Sequence, residues 1–148
     1  MIFFFIFILA QAQENDVVQW ISFDQLDDSL AAKPKKVFVD FYTSWCTYCR
    51  KMDKVVFTKP EVAERLNEDY YAVRMDAESQ DTIYFDGRPF TNDQVKKTRN
   101  PLHQLAQILA LREGQFAPPT MIILDEHFIV QHRYFEYLDS KKLLKALQ

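Results

Sequence analysis

The sequence predicts a single α/β domain in which a mixed β-sheet has helices packed on both of its faces. With 148 residues, 48% hydrophobic and 15% aromatic, the chain can form one hydrophobic core but is short for two. The run KKVFVDFY (35–42) is too apolar to face water on either side and therefore predicts a central strand. The element order βαβαβ…αββα combines an early crossover with a late hairpin, as mixed sheets do.

Composition and charge argue against several classes of ligand. The formal net charge is -3 and positive and negative residues are mixed along the chain, so no basic stripe is available for a nucleic acid. The chain has only two glycines, Gly87 and Gly114, which cannot form a glycine-rich phosphate loop. We therefore expect neither a nucleic-acid partner nor a nucleotide cofactor.

The first residues, MIFFFIFILAQAQ, are typical of a secretory signal peptide. Nine apolar residues, 2–10, match the length of a signal h-region and fall short of the ~20 residues of a membrane-spanning helix. An A-x-A pattern ends at Ala12, which predicts a signal peptide over 1–12 and a mature domain over 13–148. No Lys or Arg precedes the run, so either the initiator amine supplies the charge or the true start lies upstream. The alternative is a buried or membrane-lying segment.

The first part of the mature chain alternates strands and helices. VVQWI (17–21) predicts a short strand, and Ser22 with Gln25 predicts a capping box for a helix that ends near Ala32. After the central strand, apolar residues at helical spacing predict a helix that begins near Cys46 and contains the second cysteine. These apolar residues are Met52, Val55 and Val56.

A second capping signature follows at Thr58-Lys59-Pro60-Glu61, with proline in the first turn of the next helix. The strand YYAVRMD (70–76) comes next, and Asp86-Gly87 then predicts a two-residue type I′ hairpin turn. Asn100 and Pro101 predict the start of a further helix that ends near Gly114.

The last part of the chain predicts a hairpin and a helix. MIILD (121–125) and FIVQHRY (128–134) are apolar, β-prone runs that should pair as antiparallel strands. A final helix is expected from about Ser140. The three histidines are expected on the surface or on strand faces, whereas Met52, Met75 and Met121 fit core positions.

The only two cysteines, Cys46 and Cys49, form a C-x-x-C pair whose function has three interpretations. A structural zinc site would need two more ligands, and the one available pair, His127 and His132, is far from the cysteines and flanks a predicted strand. A purely structural disulfide would close too short a loop to restrict the unfolded chain much. Thiol exchange suits the spacing best, because a helix N-terminus stabilises one thiolate while the second thiol lies one turn away. We expect no bound metal.

The segment VDFYTSWCTYCRKM (39–52) resembles the active-site segment of the thioredoxin family. That family has an Asp in the preceding strand, a Trp before the first Cys and a basic residue after the second. Pro119-Thr120, just before a strand, resembles the family's cis-proline and threonine. The resemblance implies a thioredoxin fold with an insertion (77–117) before the cis-proline strand, and is nearest to exported members and to the C-terminal domain of bacterial thiol:disulfide interchange proteins. The active-site matches are Asp40, Trp45, Cys46, Cys49 and Arg50.

The resemblance also implies a role for each matching residue. Cys46, expected to be exposed at the helix start, would be the attacking thiolate, and Cys49 would be the deeper, resolving thiol. Asp40, placed between apolar neighbours, should have a raised pKa suited to accepting the proton of Cys49, the alternative being a strand-end Asp that faces water. Trp45 would cover one side of the disulfide, or simply pack in the core.

Other residues would bind substrate or set the redox potential. Pro119 is expected to be the cis residue, although Pro118 precedes it and either bond could be cis. Pro118, Pro119 and Thr120 are expected, with Trp45, to bind the substrate, and the residue before the cis-proline would present its backbone to it. Between the cysteines, Thr47 and Tyr48 replace the Gly-Pro of thioredoxin itself, and with Arg50 they should favour the reduced thiolate.

These expectations combine into an exported, periplasmic or otherwise extracytoplasmic, monomeric thiol:disulfide oxidoreductase that uses no cofactor. Its substrates would be proteins containing disulfides, its direction would be reduction, and a membrane partner would supply the electrons. One alternative is an oxidase or isomerase of the same chemistry. The other is a binding module with a permanently closed disulfide, in which the insertion grips a partner.

Overall fold

The structure is a computed structural model that describes residues 16–148, so the predicted signal peptide lies outside the described residues. Its main sheet has five strands in the order β1-β3-β2-β6-β7, and β4 and β5 form a separate two-stranded sheet. The strands are β1 (Trp20–Ile21), β2 (Lys36–Tyr42), β3 (Tyr70–Asp76), β4 (Ile83–Phe85), β5 (Arg88–Phe90), β6 (Thr120–Leu124) and β7 (Val130–Tyr134).

The five-stranded sheet is mixed, as the sequence predicts. β3 runs parallel to both β1 and β2, whereas β6 is antiparallel to both β2 and β7. β2 is the central strand, and its residues 37–41 are all buried. A strand in this position has helices over both of its faces, which explains why residues 37–41 are apolar with the exception of Asp40.

The described part of the chain has five α-helices that cover the sheet from both sides. They are α1 (Phe23–Ala32), α2 (Thr47–Val55), α3 (Pro60–Asp69), α4 (Gln104–Leu109) and α5 (Ser140–Ala146). One hydrophobic cluster joins α1 and α4 to Val37, Val39 and Phe41 on one face of the sheet. A second cluster joins α2, α3 and α5 to Phe38 on the other face. The prediction of a mixed sheet with helices on both faces is therefore confirmed.

Local sequence signals explain several element boundaries. The side chain of Ser22 accepts the Gln25 N–H while the Gln25 side chain accepts the Ser22 N–H, so the predicted capping box starts α1. The predicted hairpin joins β4 to β5, and Asp86 and Gly87 have φ values of 51° and 67°, which the type I′ turn requires. The three core methionines are buried as expected.

The predicted capping signature at Thr58 is wrong. The N-cap of α3 is Lys59, which makes no side-chain capping hydrogen bond. The Thr58 hydroxyl instead donates to the Lys54 carbonyl at 2.7 Å, so it satisfies the end of the preceding helix rather than the start of the next. Pro60 does occupy the first turn of α3, as predicted.

The predicted bounds of α4 are also wrong at both ends. The helix begins at Gln104 with His103 as its N-cap, because the preceding backbone is engaged in tertiary hydrogen bonds: Asn92 donates to the Pro101 carbonyl. It ends at the C-cap Ala110, well before Gly114. His103 is fully buried, which contradicts the expectation that all histidines lie on the surface or on strand faces. Its imidazole nitrogen accepts the Leu105 N–H at 3.2 Å and so serves as the cap.

Within residues 16–148, no helix is both long enough and apolar enough to span a membrane.

Candidate active site

Cys46 and Cys49 form a disulfide at the start of α2, with their Cα atoms 5.3 Å apart. Cys46 is the N-cap of the helix, and its Sγ accepts a hydrogen bond from the Cys49 N–H at 3.1 Å. A sulfur in this position faces the unpaired N–H groups of the first helical turn, which favour negative charge. The arrangement therefore stabilises a thiolate on Cys46 when the disulfide is reduced.

The expectation that Cys46 is exposed and Cys49 is deeper is wrong for the oxidised protein. Each cysteine is only 4% exposed. The reason is local, because the Cys46 sulfur folds back over the first turn of α2 to contact both the sulfur and the N–H of Cys49. For a large substrate to be attacked, the residues that surround the disulfide must therefore leave the Cys46 sulfur accessible to it.

Asp40 is a buried carboxylic acid on the sheet face that α2 covers. It is 3% exposed, so the alternative of a water-facing Asp at a strand end is excluded. Side chains alternate along β2, which places Asp40 on the same face as Phe38, a residue that clusters with Met52 of α2. Burial, partly offset by Arg74, raises the pKa of Asp40 from 3.8 to about 7.

Arg74 lies between two carboxylates. It pairs with Asp40 across the parallel strands β2 and β3, and its Nε atom is 3.7 Å from Asp40 Oδ2. Its Nη2 atom donates to Asp53 Oδ2 at 2.6 Å, and Asp53 is one helical turn beyond Cys49. The guanidinium also lies 4.4 Å from the ring centroid of Tyr42, a cation–π distance. Arg74 is thus held mainly by Asp53 and Tyr42.

Arg50 is bound to the turn that carries Cys46. Its Nη1 atom donates to the Ser44 carbonyl at 2.7 Å and its Nη2 atom to the Thr47 hydroxyl at 3.4 Å. The positive charge is thereby fixed on residues that flank Cys46 on both sides in the sequence. Tyr48 is 58% exposed and its ring packs 5.8 Å from that of Tyr137. Tyr48 therefore contributes exposed aromatic surface next to the disulfide.

Trp45 is tied to the segment that follows β3. The side chain is 51% exposed, so the alternative of ordinary core packing is wrong. Its indole Nε1 donates to Glu78 Oε1 at 2.7 Å, a short bond to a charged acceptor. The indole is thus held at the surface, immediately before Cys46 in the chain.

The loop before β6 contains a cis peptide bond between Pro118 and Pro119, so Pro119 is the cis residue. Pro118 is half-buried, whereas Pro119 and Thr120 are buried. The Thr120 hydroxyl donates to the Ala117 carbonyl at 3.0 Å. Of these three residues, Pro118 is the one whose surface a substrate can reach, while Thr120 supports the loop.

His127 and His132, the histidines considered for a zinc site, are both exposed. Across residues 16–148, no three His, Cys, Asp or Glu side chains lie close enough together to hold a metal ion.

Comparison with known proteins agrees with this geometry. A family model described as thioredoxin-like matches residues 19–125, which is more than half of the chain. The chain belongs to the thioredoxin-like family. The match includes β2, both cysteines and the cis-proline loop of this thioredoxin-like protein.

Individual relatives agree with the family assignment. The thiol:disulfide interchange protein DsbD of Salmonella paratyphi A is 41% identical over 46 residues, which make up 30% of this chain but only 8% of that relative. The DsbH oxidoreductase structure matches with a TM-score of 0.59 and 16% identity, over 88% of this chain and 82% of the other. The oxidised C-terminal domain of Neisseria meningitidis DsbD gives a TM-score of 0.54 and 19% identity, over 82% and 86% of the two chains. At these identities the two structures show a shared fold.

Sequence reasoning did not identify Arg74, Asp53 or Glu78 as parts of the site. Arg74 carried a signal, because it is a charged residue in the interior of a largely apolar strand, the next strand along the chain after the one that holds Asp40. Glu78 carried none, since its partner Trp45 is 33 positions away in a loop. Only the folded structure brings them together.

Proposed function

We propose that this thioredoxin-like protein is an exported thiol:disulfide oxidoreductase that reduces protein disulfides with the Cys46/Cys49 pair. The observation that carries the proposal is the position of the Cys46 sulfur, at the N-cap of α2 and within hydrogen-bonding distance of the Cys49 N–H. This is the environment in which a thiolate is stabilised and a second thiol is close enough to displace a bound substrate.

In the first step, the Cys46 thiolate attacks one sulfur of a substrate disulfide. A bond forms between Cys46 and that sulfur, the substrate S–S bond breaks, and the other substrate sulfur leaves as a thiolate that takes a proton from water. Trp45 and Pro118 are the residues we propose to contact the substrate, whereas Pro119 and Thr120 shape the loop. Thr47, Tyr48 and Arg50 would set the stability of the Cys46 thiolate.

In the second step, Cys49 resolves the mixed disulfide. The Cys49 thiol gives its proton to Asp40 and its sulfur attacks Cys46, which forms the Cys46–Cys49 disulfide and releases the second substrate thiolate. The pKa of Asp40, raised by burial to about 7, makes the carboxylate basic enough to take part near neutral pH. The substrate gains two electrons and the protein loses them.

The protein must then be reduced again by a dithiol donor, and we propose that a membrane protein supplies it. The export proposal rests on the apolar run 2–10 and the A-x-A pattern that ends at Ala12. Mass spectrometry of the protein recovered from outside the cytoplasm should give a mature chain that begins at Gln13. A chain that retains residues 1–12 would contradict cleavage.

The activity is tested by the reduction of insulin in the presence of dithiothreitol, followed by turbidity. The wild-type protein should accelerate precipitation, and both Cys46→Ser and Cys49→Ser should abolish the acceleration. Cys49→Ser should also accumulate mixed disulfides through Cys46, because attack persists without the resolving thiol. Equal trapping through Cys49 in Cys46→Ser would overturn the assignment of the attacking cysteine.

A second candidate is a binding module whose disulfide stays closed. The observation in its favour is that both cysteines are only 4% exposed in the oxidised structure. In that case dithiothreitol would not open the disulfide of the folded protein, and insulin reduction would not exceed the uncatalysed rate. A glutathione titration separates the remaining alternatives, because a potential near about -120 mV would indicate an oxidase and one near about -180 mV an isomerase, whereas a reductase should lie closer to the thioredoxin value of about -270 mV.

A further inference from the structure

The segment 77–117 is connected to the reactive disulfide through one carboxylate. Glu78 Oε1 accepts the indole N–H of Trp45 at 2.7 Å and also the side-chain N–H of Asn100 at 3.2 Å. One oxygen atom therefore binds a donor from the loop that precedes Cys46 and a donor from the middle of the segment.

The backbone around Glu78 is fixed on both sides. The Ala77 N–H donates to the carbonyl of Tyr42, at the end of β2, while the Ala77 carbonyl accepts the His103 N–H, both at 2.8 Å. Glu78 itself donates its N–H to Asp76 Oδ1 at 2.9 Å. The backbone from which the Glu78 side chain extends is therefore fixed relative to β2 and to the start of α4.

The part of the segment that carries Asn100 is held in place as well. The side-chain amide of Asn92 donates to the Ser79 carbonyl at 3.0 Å and to the Pro101 carbonyl at 2.9 Å. Asn92 thereby joins the residue after Glu78 to the residue after Asn100. Glu78 and Asn100 thus belong to one cross-linked unit.

We propose that Glu78 and Asn100 are positioning residues that hold the Trp45 indole in the orientation in which it contacts a disulfide-bearing substrate. This rests on the proposed function. A half-exposed indole without a hydrogen-bond partner would adopt several rotamers, and binding would then have to restrict them. With its N–H held by a carboxylate, the ring is ordered before the substrate arrives. The segment 77–117 therefore contributes to substrate recognition through Trp45.

The kinetic test compares variants of Glu78 in the reduction of a disulfide-containing peptide. Glu78→Ala should raise KM about three- to tenfold with little change in kcat, because ordering of the indole is lost but the sulfur chemistry is not. Glu78→Gln should remain close to wild type, since an amide oxygen can accept both donors. Glu64→Ala, at an exposed position on α3, is the matched control and should have no effect.

Asn100 gives a second, independent perturbation. Asn100→Asp should raise KM more than Asn100→Ala does, because it places a second carboxylate against Glu78 and repels it from the indole. In a Trp45→Phe background, none of the changes at Glu78 or Asn100 should alter KM further. An effect of Glu78→Ala that persists undiminished in that background would overturn the proposal, as would an unchanged KM in Glu78→Ala itself.

Fluorescence separates this proposal from the proposed function. The chain has two tryptophans, so the Trp45→Phe protein supplies the Trp20 signal to be subtracted. Loss of the bond in Glu78→Ala should lower the anisotropy of Trp45 and increase its quenching by acrylamide. If the wild-type protein reduces no disulfide but Trp45 responds in this way, the proposed function fails and the positioning role stands. If Trp45 does not respond, the positioning role fails, whatever the activity.

Discussion

The Nε atom of Arg74 lies 3.7 Å from Oδ2 of Asp40, although the two residues are paired across neighbouring strands. Asp53 binds the same guanidinium at 2.6 Å and draws it toward α2. The Arg74 Nε atom that faces Asp40 is buried and has no hydrogen-bond partner among residues 16–148. Arg74 therefore compensates the charge of Asp40 only in part, and burial dominates the titration of this acid.

The stability of the oxidised protein should consequently fall as the pH rises through neutrality. Asp40 has a pKa of about 7 in the folded protein, above the ordinary value of 3.8, so the folded state holds a proton that the unfolded state has lost. Its contribution is complete below the ordinary pKa and is lost as the pH rises to the folded pKa. Between about pH 5 and about pH 8, the loss should amount to ~2–3 kcal/mol.

Urea unfolding of the wild type and Asp40→Asn at the two pH values measures this effect. The free energy of unfolding of Asp40→Asn, relative to wild type, should be higher at the alkaline pH by the stated amount, because asparagine has no proton to lose. Asp28→Asn, which removes an exposed carboxylate from α1, is the control and should not reproduce the trend. A stability difference between the two proteins that stays constant over this range would show that Asp40 is already ionised in the folded protein.

Much of this site could be predicted because its residues lie within one continuous segment. The run 35–42 and the cysteines after it specify a buried strand, a helix start and an acid in the strand before the cysteines, and the structure has all three. The type I′ turn at Asp86-Gly87 could be predicted equally well, since its conformation depends on two adjacent residues.

The remaining features depend on contacts between segments that are distant in the sequence. His103 caps α4 because residues 100–102 are committed to hydrogen bonds with Glu78, Asn92 and Gln94, and no local pattern reveals that competition. The burial of Cys46 in the oxidised protein likewise does not follow from the C-x-x-C spacing alone. Hydrogen bonds between distant segments thus override local capping preferences.

Asp40 should accelerate the resolving step more than the initial attack. In Asp40→Asn, the rate at which Cys49 displaces a substrate from Cys46 should fall about tenfold or more near neutral pH, because the proton acceptor is missing. The rate at which Cys46 attacks the substrate should change less. Stopped-flow measurement of both steps with a fluorescent disulfide peptide distinguishes them. Equal slowing of the two steps would mean that Asp40 supports structure instead.

Arg74 should determine the pH at which Asp40 becomes active. Arg74 lowers the pKa of Asp40 against the larger effect of burial, so Arg74→Met should move the pH midpoint of the resolving step upward from about 7. Methionine retains much of the apolar stem of arginine without its charge. The measurement is the resolving rate as a function of pH.

Arg65→Met is the matched control for Arg74→Met. Arg65 also pairs with a carboxylate, Asp69, at 2.9 Å, but on the exposed surface of α3. Loss of such a pair changes little, and the pH midpoint should stay where it is. A midpoint that moves downward in Arg74→Met would contradict the view that Arg74 acts on Asp40 through its charge.

The redox potential should be less reducing than the value of about -270 mV for thioredoxin. The helix N-terminus and the Arg50 charge both favour the thiolate of the reduced form, and Arg50 is fixed by its bond to the Ser44 carbonyl. Arg50→Met should therefore lower the potential, on the order of 30 mV for each ~1.4 kcal/mol of lost stabilisation. A glutathione titration gives both values.

The control for the potential is Lys54→Met, which removes a positive charge from the last turn of α2. That charge lies at the end of the helix opposite the cysteines, and salt screens it from the sulfurs. The redox potential of Lys54→Met should therefore match that of the wild type. A wild-type potential at or below that of thioredoxin, or an Arg50→Met potential above that of the wild type, would refute the view that the helix N-terminus and Arg50 stabilise the Cys46 thiolate.

Acidification should destabilise the start of α4 through His103. This residue is fully buried, its Nδ1 accepts the Leu105 N–H at 3.2 Å, and its Nε2 lies 3.1 Å from the Asp81 carbonyl oxygen. The neutral ring with its proton on Nε2 satisfies both contacts, whereas a protonated ring would set two N–H groups against each other at Leu105. Burial accordingly lowers the pKa of His103 from 6.5, although Asp81 and Asp93 oppose the shift.

For a base whose pKa is lowered by folding, the stabilising contribution is present above the ordinary pKa and is lost as the pH falls below it. The free energy of unfolding of the wild type should therefore drop below about pH 6.5 relative to His103→Asn, which can still cap the helix but does not titrate. Comparing the two proteins at each pH cancels the opposite trend from Asp40, which both contain. His127→Asn, at an exposed turn residue, should run parallel to wild type. A difference between His103→Asn and wild type that stays constant with pH would show that the buried ring is not the source of acid sensitivity.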